Sequence, residues 1–154
     1  MKRIVKLSFV LLLVVILSGC KKQVVTKCTL NNDESSNGFS IKSEYKIFSD
    51  DSGVNKVETE EVVESKNKQV LSYFEKQLKE QYKYMNETYK GYTINITNKD
   101  GKVISKIKVD YNKMNLDKFT SENPALKDYI NKNGKITLDG MKKMYSSLGA
   151  TCNK

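Results

Sequence analysis

Val70, Leu71, Phe74, Leu78, Tyr82, Met85 and Tyr89 recur at three- and four-residue steps, with Lys and Glu filling many of the positions between them. That is one amphipathic helical stripe of about seven turns, and it constrains the fold more than any other feature of the chain. Ser65 is placed to cap its start and Gly91 to stop it. The segments on either side alternate with a period of two, as half-buried strands do. Before the stripe, Phe39, Ile41, Tyr45 and Ile47 share one face, with Lys42, Glu44 and Lys46 opposite. Residues 49–53 make a turn, and Val57, Thr59 and Val63 point inward on the returning strand. After the stripe, Tyr92, Ile94 and Ile96 alternate with Thr93, Asn95 and Thr97. Asn98-Lys99-Asp100-Gly101 is a hairpin turn, and Val103, Ser105, Ile107, Val109 and Tyr111 line the partner strand.

A first short strand is expected at residues 27–30, followed by a loop over 31–38 that is rich in Asn, Asp, Ser and Gly. The C-terminal part reads as helical. Residues 116–119 make one turn. Asn123-Pro124 has the form of an N-cap with proline at the first helical position. Thr137 caps a last helix striped by Leu138, Met141, Met144, Tyr145 and Leu148 and stopped by Gly149. Residues 150–152 extend back toward Cys28. The fold class is α+β: an antiparallel sheet of two hairpins plus a short N-terminal strand. One long helix and two to three short C-terminal helices pack on one face.

The front of the chain is an address. Lys2, Arg3 and Lys6 precede an apolar run from Leu7 to Leu17, broken only by Ser8, and Leu17-Ser18-Gly19-Cys20 follows. A basic start, a short apolar core and small residues before a cut make a secretory signal. The run is too short to be a comfortable membrane span, which needs about 20 residues. Leu-Ser-Gly-Cys matches the bacterial lipobox at every position. By that resemblance Cys20 carries a diacylglycerol thioether, a palmitate-class lipid, and becomes the mature N-terminus. The organisation is then a signal peptide over 1–19, a lipidated tether over 20–26, and one domain over 27–154. The domain lies outside the cytoplasm, anchored to the cell membrane. The alternative is an uncleaved anchor with an ordinary cysteine.

Removing the first 19 of 154 residues also removes three of the 27 basic residues, leaving 24 Lys against 18 acids and no Arg. The chain has no His and no Trp. The usual neutral-pH general base and the commonest transition-metal ligand are therefore missing. Without Arg there is no bidentate fork for phosphate or guanine. The positive charge is spread as single lysines, a solvated surface suited to resting near anionic lipid or wall polymer and unlike a nucleic-acid site. With Cys20 assigned to lipid, Cys28 and Cys152 remain as an even pair in an oxidising-permissive compartment. A bridge would close almost the whole domain, worth roughly 4–5 kcal/mol at most on the chain-entropy model. Two unpaired thiols are the alternative. A redox enzyme would want a close pair such as Cys-x-x-Cys.

Motifs with chemistry are few. Residues 131–136 resemble the middle of a calcium loop. Aligning Gly134 on that loop's glycine, however, puts Tyr129 at the first ligand position and Gly140 where a bidentate Glu belongs. Residues 98–103 fail similarly, so both are turns. Glu58, Glu60, Glu61 and Glu64 are a possible carboxylate cluster; Glu58 and Glu60 share a face and Glu61 points the other way. With Lys so abundant, the reading preferred is an edge strand kept soluble by charge. No Ser-x-x-Lys sits at a helix start beside a second motif. No catalytic or metal-ligating set emerges, and no cofactor is implied.

The C-terminal half also carries a resemblance. Lys108-Val109-Asp110-Tyr111-Asn112-Lys113-Met114, Leu116-Asp117-Lys118-Phe119, Gly134-Lys135-Ile136-Thr137-Leu138-Asp139-Gly140-Met141 and Leu148-Gly149-Ala150 are similar to the YehR-like family of small bacterial lipoproteins. The resemblance implies a compact α+β lipoprotein and brings no activity and no active-site residues. Cys28 and Cys152 depart from its enterobacterial members, so the bridge rests on cysteine arithmetic alone. The leading functional expectation is a non-enzymatic, membrane-tethered domain that binds or supports an envelope protein or wall polymer. Second is a lipoprotein that captures a small hydrophobic ligand or solute in a pocket between sheet and helices. A thiol-dependent enzyme ranks third.

Overall fold

The computed structural model describes residues 23–153. The signal segment 1–19 and the lipobox Cys20 lie outside them. Strands β1 (Val24–Glu34), β2 (Phe39–Asp50) and β3 (Gly53–Ser65) form a meander. Helix α1 (Lys68–Thr88) follows, then the hairpin β4 (Tyr92–Lys99) and β5 (Lys102–Asp110). Helix α2 (Leu116–Glu122), a 3-10 turn (Pro124–Tyr129), helix α3 (Leu138–Ser147) and the two-residue strand β6 (Thr151–Cys152) complete the chain. All neighbours in the six-stranded sheet, in order β4-β5-β3-β2-β1-β6, are antiparallel. The α+β architecture, with one long helix and short C-terminal ones, is as the periodicity implies.

Several local expectations change. The first strand begins at Val24, inside the segment read as tether, and runs to Glu34, because every residue of it pairs with β2. Ser65 does not cap α1: its hydroxyl donates to the Gly38 carbonyl (2.6 Å) and accepts from the Asn67 amide (3.0 Å). Asn67 is the cap, accepting from the Gln69 amide at 2.8 Å. Asn123 closes α2, donating to the Phe119 carbonyl at 2.8 Å, and does not open a helix by side-chain capping. The segment after it is a 3-10 turn. Thr137 caps α3 as expected, accepting from the Gly140 amide at 3.0 Å. Leu148, read as part of the α3 stripe, is 60% exposed.

The largest correction concerns the glutamates. β3 is central, paired with β2 on one side and β5 on the other, so it is not an edge. Its acids answer lysines on both flanks. Glu58 stands between Lys46 and Lys108, and Glu60 is in register with Lys106. Ion pairs join Glu58 to Lys56 (2.8 Å), Glu60 to Lys106 (3.2 Å) and Glu64 to Lys102 (2.7 Å). A cross-strand charge ladder makes the uncovered face of the sheet compatible with water.

The opposite face carries the core. Leu71 and Leu78 of α1 pack on Val63 and Val103, with Phe74, Tyr82, Ile41 and Ile96 around them. A second cluster gathers Tyr45, Ile47, Val57, Val109, Met141 and Tyr145 under α2, the 3-10 turn and α3. Thus α1 covers β4, β5 and β3, while α3 lies over β3 and β6.

Candidate functional site

The alternation along each strand decides what the helices meet. On the covered face, register rows cross the sheet. One row runs Cys152, Cys28, Tyr45, Thr59, Ile107, Ile94. The next runs Leu30, Ser43, Glu61, Ser105, Ile96. This second row is polar at its centre, where the two apolar clusters meet. Ser43 is 4% exposed and Ser105 fully buried. The Ser43 hydroxyl donates to a Glu61 carboxylate oxygen at 3.5 Å, a long contact. The Ser105 hydroxyl has no hydrogen-bond partner among the described residues.

Above Glu61 and the first row, α1 and α3 stand apart and leave a cavity of about 310 Å³, which Ser43 and Ser105 do not line. Its floor is Tyr45, Thr59, Glu61 and Ile107; Tyr82 comes from α1, Tyr92 from β4, and Met141, Met144 and Tyr145 from α3. Tyr45 and Tyr145 stack with centroids 4.1 Å apart and planes 25° off parallel. Glu61 is the one charged side chain among the described residues that line it. A wider groove of about 1020 Å³ lies between the 35–38 turn, the start of α1 and the 98–102 turn. It is open to solvent, with serine, lysine and glycine prominent in its lining, so it offers little that excludes water. Among the described residues no three metal-ligating side chains converge.

No protein-family model matches this chain, and no curated protein matches it. Among solved structures, the NMR structure of the E. coli YehR protein matches with a TM-score of 0.55 and 18% identity, over 88% of this chain and 94% of that one. The chain has a YehR-like fold. At that identity the likeness carries the fold alone.

Burial pushes the Glu61 carboxyl up, opposed only by the Ser43 hydrogen bond. Burial also raises the phenols of Tyr45, Tyr82 and Tyr145, and takes Tyr92 up to about 12. The nearby Glu61 charge adds to the rise at Tyr82 and Tyr45. These phenols therefore stay protonated and can donate hydrogen bonds into the cleft. The YehR-like sheet, with Tyr45 and Tyr92, and the helices above it, with Tyr82 and Tyr145, thus place neutral tyrosines around one desolvated acid.

That acid makes stability depend on pH. The groups facing Glu61 are Ser43 and Tyr45 from β2, Ser105 from β5 and Tyr82 from α1, none of them basic. Its folded carboxyl holds a proton more tightly than the unfolded one, whose ordinary value is about 4.3. The associated stability is complete below that value and is lost as pH rises through the folded one. Glu61→Gln is expected to raise the melting temperature at pH 7 and to flatten the decline from pH 4.5 upward in thermal melts. An unchanged slope in the variant would assign the decline to other groups.

Of the residues singled out by sequence, the structure joins Cys28 to Cys152 as a disulfide, S–S 1.99 Å, between β1 and β6. It separates Glu61 from Glu58, Glu60 and Glu64. The tyrosines of the cleft carried only a core signal in the sequence. The inward parity shared by Val57, Thr59, Glu61 and Val63 was the clue to an acid on the covered face.

Proposed function

We propose that this chain is an extracytoplasmic lipoprotein, anchored through Cys20, that holds a small amphipathic ligand in the tyrosine-lined cleft between α1 and α3. The cavity carries the ligand reading. At about 310 Å³ it sits near the lower limit of ligand pockets, about 300 Å³. Its apolar walls and few polar groups are what such pockets need. No helix among the described residues is long and apolar enough to cross a membrane. The anchor reading rests on the lipobox, where two acyl chains at about 0.8 kcal/mol per buried CH₂ hold stably and one does not. Since β1 starts at Val24, only residues 21–23 separate it from Cys20. Three residues span about 10 Å at most. Val24 and Val25 at that end are 46% and 54% exposed, as suits a surface resting on lipid.

One preparation tests both parts. The full chain extracted in detergent from its own membranes should show, by native mass spectrometry, a small adduct beyond the lipid on Cys20. Met144→Trp, which fills the gap, should remove the adduct while leaving the lipid. Cys20→Ala should move the chain to the soluble fraction. A lipidated chain with no adduct in either form would leave an anchored structural domain and end the ligand reading.

A further inference from the structure

We propose that the cleft recognises a small organic cation, its ammonium group seated against the Glu61 carboxylate and among the rings of Tyr45, Tyr82, Tyr92 and Tyr145. This rests on the cleft being a ligand site. The charge pattern points to it. Glu58, Glu60 and Glu64 on the same strand each hold a lysine within 3.2 Å, and Glu44 holds Lys27 at 2.6 Å. Glu61, in a chain with 24 lysines past the signal, has the Ser43 hydroxyl at 3.5 Å and no ion pair among the described residues. A desolvated carboxylate with no cation must take a proton or bear the cost of its charge, and a bound cation offsets part of that cost.

The walls suit the same ligand. The face of a tyrosine ring attracts a cation held within about 6 Å of its centroid, and a cage of such rings is a recurring receptor for quaternary ammonium groups. The buried Ser105 hydroxyl, unpartnered and in register with Glu61 on the adjoining strand, is a second observation. It is a donor available to a carboxylate kept charged by its ligand, as Ser43 is on the other flank. An anion would meet Glu61 directly. A hard metal ion would lack oxygen ligands, since calcium takes six to eight and Glu61 supplies two. A neutral ligand would meet the acid in its protonated form and gain nothing from its charge.

The test titrates the detergent-solubilised full chain by calorimetry with choline and with 3,3-dimethyl-1-butanol, which replaces the nitrogen by carbon and has no charge. Choline should bind at least tenfold more tightly. Glu61→Gln, close in shape to the acid, should bring the two ligands within about twofold by weakening choline alone. Ser105→Ala should weaken choline several-fold and leave the alcohol unchanged. If the alcohol binds as well as choline, the cation assignment fails and the cleft survives as a neutral-ligand site. If neither ligand binds and native mass spectrometry finds no adduct, the cleft reading itself fails.

Discussion

Removing the Cys28–Cys152 bridge is expected to lower the unfolding free energy by up to about 4–5 kcal/mol, a large share of the 5–15 kcal/mol typical of a domain. The two cysteines are 124 positions apart, so the bridge closes nearly the whole domain and restricts its unfolded ensemble accordingly. The native side also depends on it. β6 has two residues, paired to β1 only at Cys28 and Thr29, and the Asn153 amide donates to the Lys27 carbonyl at 2.9 Å. Cys28 is fully buried beside Tyr45, and Ala150 is 6% exposed. Urea titrations of the Cys28→Ala, Cys152→Ala double variant, or of the native chain with reductant, should show a lower midpoint. The slope against urea should be steeper, because an uncrosslinked unfolded chain exposes more surface. Hydrogen exchange should quicken first at Asn153, before the central strands open. Equal midpoints with and without reductant would mean that the bridge leaves the unfolded ensemble unconstrained.

What was legible in the sequence was whatever depends on neighbours in the chain. The stripe from Val70 to Tyr89 becomes α1 as far as Thr88, with Tyr89 as its extended C-cap, because helical spacing alone puts Leu71 and Leu78 on one side. The turn at residues 98–101 joins β4 to β5 for an equally local reason, with Asp100 at φ 54° and Gly101 at φ 76°. What was not legible depends on partners far along the chain. The same run of glutamates would suit an edge strand. It suits a central one only because Lys46, Lys106 and Lys108 arrive on both sides. Parity already put Glu61 and Tyr45 inward, but no pattern in residues 68–88 or 138–147 sets the gap between α1 and α3. That gap follows from the 3-10 turn, from Tyr129 packed on Gly140, where a Cβ would lie 2.5 Å from the tyrosine Cβ, and from the bridge between Ile130 and Ile136. The cleft was therefore foreseeable as a place between sheet and helices with Glu61 and Tyr45 on its sheet side, and the closure over them by Tyr82 of α1 and Tyr145 of α3 was not.

Gly91→Ala is expected to destabilise the fold by about 3 kcal/mol, combining left-handed backbone strain with overpacking. Gly91 joins the end of α1 to β4 at φ 99°, where a side chain is strained whatever the space. An added Cβ would stand 2.4 Å from the Asp110 carbonyl oxygen and 3.3 Å from the Lys113 Cβ. The obstacle is backbone, so no rotamer change relieves it. The Asp110 amide also donates to the Gly91 carbonyl at 2.9 Å, which ties the junction to the end of β5. Displacing that junction shifts Tyr92 on one side and, on the other, Tyr89, whose hydroxyl donates to Glu122 of α2. Both the cleft and the seat of α2 should loosen. Gly134→Ala separates the two causes: its φ is 72° and nothing lies within 4 Å of the added carbon. Strain alone should cost that variant about 1 kcal/mol. For a domain of this size the Gly91 variant should then melt about 10 °C below the native chain, and the Gly134 variant only a few degrees below it. If the two lose the same amount, the Asp110 carbonyl yields without cost and strain accounts for both. If Gly91→Ala falls well below Gly134→Ala and also weakens binding in the cleft, then the close approach of Gly91 to β5 is what holds Tyr92 in its place.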